Sequence, residues 1–137
     1  MTVAGVARDD STAEFFDGTA SGVYLIRRCV QNGHASKPQA EMCSVCGSQD
    51  LRWEAASGNA KLVSWAVVPG RQNEPEAEGV APEPTIVAIG ELAEGPWMWA
   101  RLLGADPGGL CDGMALRIAF EQPAGSEAIP VLVPAAT

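Results

Sequence analysis

The chain has a single histidine, His34, among 137 residues. That scarcity narrows the chemistry, because a serine or cysteine nucleophile commonly relies on a histidine base beside it. No serine elbow, phosphate-cradling glycine loop or spaced pair of carboxylates is present either. Positive charge is also scarce. Nine Lys and Arg stand against seventeen Asp and Glu, for a net charge of −8. Binding a phosphate backbone requires a basic face, so nucleic acid is not an expected partner. Arg27 and Arg28 are adjacent, but on a strand they point to opposite faces. No apolar run is long enough to span a membrane. No basic-then-apolar signal segment follows Met1, so a cytoplasmic location with reduced thiols is expected.

The chemistry that is present gathers in residues 27–50. Three of the four cysteines lie there, with His34 between them. Cys43-x-x-Cys46-Gly47 has the form of a zinc knuckle. Its spacing lets two thiolates face one metal, and the glycine permits a tight turn with backbone N–H groups aimed at sulfur. A full ribbon needs a second such pair upstream. The chain has Cys29-Val30-Gln31-Asn32-Gly33-His34, where the turn glycine is kept and Asn32 stands in place of the second cysteine.

Taken in order, Ser11 to Glu14 form a capping box, with Ser11 as N-cap of a short helix carrying Phe15 and Phe16. The two phenylalanines read as core or docking residues; the alternative is an exposed pair that contacts a partner. Residues 23–29 read as a strand leading into the first knuckle, 35–42 as a spacer and 51–54 as a short strand. Residues 60–69 form a long strand. Residues 71–84 are acidic and proline-rich and are expected to form a mobile loop. Strands follow at 85–92 and 97–103, joined by the tight turn Glu94-Gly95-Pro96, and at 114–121 and 128–133. Residues 105–110 read as a loop that can hold one helical turn. The chain is therefore expected to be mainly β, a small barrel or sandwich. A five-stranded closed barrel of OB type fits the length after Trp53, and the long first strand suits a curved strand shared by both ends of a barrel. Trp97 and Trp99 share one face of their strand and are expected in the core or at a subunit interface. Cys111, with no histidine to activate it, is expected as a half-buried small side chain.

The order of these motifs resembles a known family. Ala-Glu-Phe-Phe-Asp-Gly is followed by Arg27-Arg28-Cys29, then Cys43-Ser44-Val45-Cys46-Gly47-Ser48, then Val63 to Val68. Ile86 to Ile89 and Gly113 to Ile118 complete the series. Over residues 12–134 this is similar to the OB-fold acyl-CoA-associated family, also called domain of unknown function 35 (DUF35). The resemblance implies an N-terminal arm and helix (1–22), a rubredoxin-like zinc ribbon (23–54) and a C-terminal OB-fold barrel (55–137). It also implies a small subunit that assembles with a thiolase-fold protein, or sometimes with a hydratase, with acyl-CoA at or near the shared interface. The partner would carry the chemistry: acyl transfer, thiolysis or retro-aldol cleavage of a CoA thioester such as a steroid side chain.

Most ribbon-bearing members have a cysteine where Asn32 stands. An amide is a poor zinc ligand, and His34 can swing in to give Cys29, His34, Cys43 and Cys46, a normal structural zinc set. The alternative is a degenerate ribbon held by packing. Phe15, Phe16 and Trp65 are the expected partner-interface anchors. With no evident general base, the chain is expected to be non-catalytic alone. The competing reading is a stand-alone module that binds CoA thioesters or single-stranded nucleic acid.

Overall fold

In the computed structural model, residues 7–10, 12–69 and 84–135 are described. The expected acidic loop lies almost wholly outside them. Among the described residues one helix, α1 (Ala13–Ala20), precedes eight strands: β1 (Leu25–Cys29), β2 (Ala35–Ser36), β3 (Leu51–Ala55), β4 (Asn59–Val68), β5 (Thr85–Leu92), β6 (Trp97–Arg101), β7 (Ala115–Glu121) and β8 (Ile129–Pro134). A 3₁₀ turn at Pro107–Gly109 occupies the loop before β7.

The helix start differs from the expected capping box. Thr12 is the N-cap, and Ser11 lies outside the described residues. The Thr12 hydroxyl accepts from the Asp9 N–H at 2.9 Å, so it faces back along the chain and caps no helical N–H. The helix ends where Gly22, at φ 78°, lets the Val23 N–H reach back to the Gly18 carbonyl at 2.9 Å. This is the usual role of a glycine that closes a helix. Phe16 and Thr19 are buried, while Phe15 is half-buried and meets both Phe16 and Tyr24 edge-on.

Two sheets follow. The smaller is β2-β1-β3, antiparallel throughout. The larger has the order β6-β5-β4-β7-β8. A parallel bridge between Leu102 and Leu132 nearly closes it into a barrel, reinforced by Leu103 N–H donating to the Leu132 carbonyl at 2.9 Å. That order, with a parallel contact between the third and fifth barrel strands, is the arrangement of an OB barrel. β4 makes the closure possible. It pairs with β7 at Asn59 to Lys61 and with β5 along most of its length, and its register shifts between Leu62 and Ser64. An irregularity of this kind bends a strand and raises its twist.

Alternation fixes the core. On β5, Ile86, Ala88, Gly90 and Leu92 point inward while their neighbours are more exposed. Gly90 packs closely: a Cβ there would lie 3.1 Å from Leu132 Cδ1, so that side chain would have to give by a few tenths of an ångström. Leu62, Leu116 and Leu132 are fully buried, and each such side chain contributes about 1.5–3 kcal/mol relative to exposure. Tyr24 and Ile26 join the same core, so the small sheet and the barrel share one apolar interior. Among the described residues no helix is long and apolar enough to cross a membrane.

Candidate metal centre

β1 ends in Cys29, and its antiparallel neighbours position the rest of the site. The chain turns at Gly33, and Cys29 N–H donates to the His34 carbonyl at 2.8 Å as β2 begins. The second knuckle spans Cys43 to Gly47. The two turns have the same form. Gly33 and Gly47 both have φ 75°. Gly33 N–H bonds the Cys29 carbonyl at 2.8 Å, and Gly47 N–H bonds the Cys43 carbonyl at 2.9 Å. Val45 and Cys46 N–H groups approach Cys43 Sγ at 3.4 and 3.5 Å. Backbone dipoles thus face sulfur, as the knuckle spacing led one to expect.

Cys29, His34, Cys43 and Cys46 converge, with their ligand atoms all within 4.8 Å of one another. Cys29 Sγ lies 3.6 Å from Cys46 Sγ, and Cys43 Sγ lies 3.5 Å from His34 Nδ1. A tetrahedral zinc with Zn–S bonds of about 2.3 Å spaces its sulfurs about 3.8 Å apart, so these separations suit such an ion. Cys29 and Cys43 are buried, and Cys46 is exposed. The Cys46 thiol is pulled down to about 7, first by a backbone hydrogen bond from Ser48 and then by the Asn32 side chain. Three soft donors and one imidazole match a structural site for zinc or a similar soft divalent ion.

Around this centre the two adjacent arginines part. The Arg27 guanidinium lies 4.4 Å over the Trp53 ring. Arg28 pairs with Glu54 at 2.5 Å and donates to the Gly33 carbonyl at 2.7 Å, which ties the first knuckle to β3.

The other candidate residues fall elsewhere. Trp65 is half-buried on β4 and touches the core. Phe16 is largely enclosed within the chain. Trp97 and Trp99, expected in the core or at an interface, are 52% and 72% exposed, because the intervening Met98 takes the inward position. Cys111 is exposed and not half-buried: it precedes the turn at Asp112-Gly113, outside the sheet. Two exposed side chains escaped the sequence reading, Met42 just before the second knuckle and Val45 within it. With Trp97 and Trp99 they line a groove of about 1060 Å³ between the knuckle and the β5–β6 turn. The available signal was an apolar residue at a knuckle tip, where solvent-facing positions are usually polar.

A small sheet with a Cys/His cluster, set on an OB-type barrel, defines a class of protein, and comparison with known proteins identifies the family. Residues 53–121 match the family described as ChsH2, C-terminal OB-fold domain. A DUF35 domain-containing scaffold protein of Pyrococcus furiosus is 32% identical over 95 residues, covering 69% of this chain. The aligned part spans 66% of that relative's length. The solved Ltp2-ChsH2(DUF35) aldolase is 26% identical with a TM-score of 0.76, covering 95% of this chain and 98% of that one. A DUF35 protein of unknown function from Sulfolobus solfataricus shares the fold at 11% identity and a TM-score of 0.61. The chain belongs to the DUF35 OB-fold family.

Proposed function

We propose that this chain is a non-catalytic accessory subunit of a thiolase-like acyl-CoA enzyme. In this reading it supports assembly with a thiolase-fold partner and shapes access for the pantetheine arm of a CoA thioester. The reaction would be acyl transfer, thiolysis or retro-aldol cleavage, as of a steroid side chain, with the partner supplying the nucleophile. The observation that carries the reading is the likeness, along nearly the whole of both chains, to the Ltp2-ChsH2(DUF35) aldolase. The scaffold role in the name of the Pyrococcus relative points the same way.

The distribution of reactive groups agrees. His34 is committed to the Cys/His cluster, and exposed Cys111 has no histidine base available. A nucleophile without a base is poorly activated. We take the centre formed by Cys29, His34, Cys43 and Cys46 as a structural zinc site that holds the ribbon in shape. Its reduced thiols suit the cytoplasm. The interface would use Trp65 and Phe15, with buried Phe16 packed edge-on against Phe15, and the exposed Trp99 as a further aromatic anchor. Tryptophan is over-represented among residues that dominate interface energies, where truncation costs on the order of 2 kcal/mol or more.

The test is co-purification of the tagged chain from its own host, followed by identification of the captured protein. The expected capture is a thiolase-fold protein, retained by wild type and weakened by Trp65→Ala and Trp99→Ala variants that keep the wild-type circular dichroism. Capture of no such protein, together with tight binding of a single-stranded oligonucleotide at low salt, would replace this reading with a stand-alone module.

A further inference from the structure

The larger sheet ends on one side in β6 and on the other in β8, and the two edges are finished differently. Leu92 N–H donates to the Pro96 carbonyl at 2.8 Å, and Leu102 N–H donates to the Ile86 carbonyl at 2.9 Å. With Met98 opposite Gly90 and Ala100 opposite Ala88, the backbone of Met98 and Ala100 therefore bonds to β5. The N–H and C=O groups of Trp97 and Trp99 point the other way. Among the described residues no strand pairs with β6 on that side before the seam at Leu102. On β8, Ala135 N–H donates to the Ala115 carbonyl at 3.0 Å, so Pro130, Leu132 and Pro134 are the positions facing away from β7. Leu132 is used in the seam, and proline has no N–H to offer. Prolines placed so block an edge against further pairing. Trp97–Arg101 contains neither proline nor lysine, and its pairing with β5 runs without a register shift.

A cleft follows this open edge. Pro96, Trp97, Met98 and Trp99 line the groove of about 1060 Å³, and Trp99, Ala100 and Arg101 line a second one of about 790 Å³. Successive residues of a strand point to opposite faces, so a groove lined by consecutive residues lies against the strand's edge. Across the first groove is β2, itself the end strand of the small sheet, with Met42 and Val45. Across the second are Ile129 and Pro130. We infer that the open edge of β6 is a strand-addition site, which receives one extended segment of the partner chain with apolar side chains at alternate positions. Backbone bonds to Trp97 and Trp99 attach the segment. The exposed side chains of Trp97, Trp99, Met42 and Val45 select apolar residues on it, the usual division of labour when a peptide extends a sheet. The inference rests on the accessory-subunit reading, because Trp99 is also an anchor of the interface proposed there. A second copy of this chain fits less well. The seam at Leu102 limits a twofold pairing to Trp97–Trp99 of each copy, well short of the roughly 800 Å² per partner that a stable interface buries.

The experiment is residue-resolved amide hydrogen exchange on the full chain, alone and with the thiolase-fold protein that it captures. Alone, the Trp97 and Trp99 amides should exchange freely, while those of Met98 and Ala100 are protected. In the complex all four should be protected. Two variants separate backbone from side chain. Trp99→Ala removes only the ring and should weaken partner binding about 30-fold. Trp99→Pro also removes the outward N–H, which an edge strand tolerates, and should lose about 2–10-fold more. Equal losses would mean that the Trp99 N–H makes no bond and would overturn strand addition. A complex in which Trp97 and Trp99 amides still exchange as in the free chain overturns the site and leaves the accessory reading standing. Protection in the free chain that rises with its concentration gives the edge to a second copy and also overturns the inference. If no thiolase-fold protein is captured, the accessory reading falls and this inference falls with it.

Discussion

His34 and Tyr24 carry the most testable single-residue consequences. Elemental analysis of protein purified without chelator should show about one zinc per chain, since three thiols and an imidazole converge within 4.8 Å. Folded protein without bound metal would contradict this. His34→Ala removes a donor atom, so it should weaken zinc retention more than Asn32→Ala does; the reverse order would take His34 out of the centre. Burial pushes the Tyr24 phenol up to about 12. The unfolded chain ionises this phenol near its ordinary value of about 10, while the folded chain keeps the proton. Fewer protons are then bound when unfolded, so stability falls as pH rises from about 10 to about 12, by on the order of 2 kcal/mol. Chemical denaturation across that range should show Tyr24→Phe with a flatter decline than wild type. Equal slopes would mean that Tyr24 ionises freely in the folded chain.

Among the elements, β5 and the seam between β6 and β8 decide whether the barrel holds. Leu132 is fully buried, lies against Gly90 and bridges to Leu102 where the sheet nearly closes. Leu132→Ala should cost about 2–5 kcal/mol, as large-to-small changes in a core do. Urea melts would show it, and a change below about 1 kcal/mol would mean the seam repacks easily. Much of this architecture was legible in the sequence because the pattern is local. Alternating Ile86, Ala88, Gly90 and Leu92 define the inward face of β5 without outside help. β2, read only as spacer, has two residues and is held by pairing with Arg27 and Arg28, so no internal pattern announces it. Trp97-Met98-Trp99 is apolar on both faces, so periodicity alone could not say that Met98 turns inward. His34 could be singled out because it sits beside the missing cysteine.

For the molecule as a whole, the barrel and the small sheet share an interior that includes Tyr24 and Ile26. The knuckle therefore stands on a firm base, with Met42 and Val45 facing Trp97 and Trp99 across the groove. Two side-chain ties from Arg8, to Asp17 at 2.5 Å and to Glu127 at 2.6 Å, fasten the segment before α1 to the region before β8. The Arg8 guanidinium holds the Glu127 carboxyl below its ordinary value. That tie is therefore present at neutral pH and is lost as pH falls through the lowered value. The central claim, the proposed accessory role, is tested most directly by turnover of CoA thioesters by the isolated chain, by the thiolase-fold partner proposed for it, and by the two together. The isolated chain should show no turnover, and the partner should reach full activity only with this chain present. Turnover by the isolated chain, or full activity of the partner without it, would contradict the account.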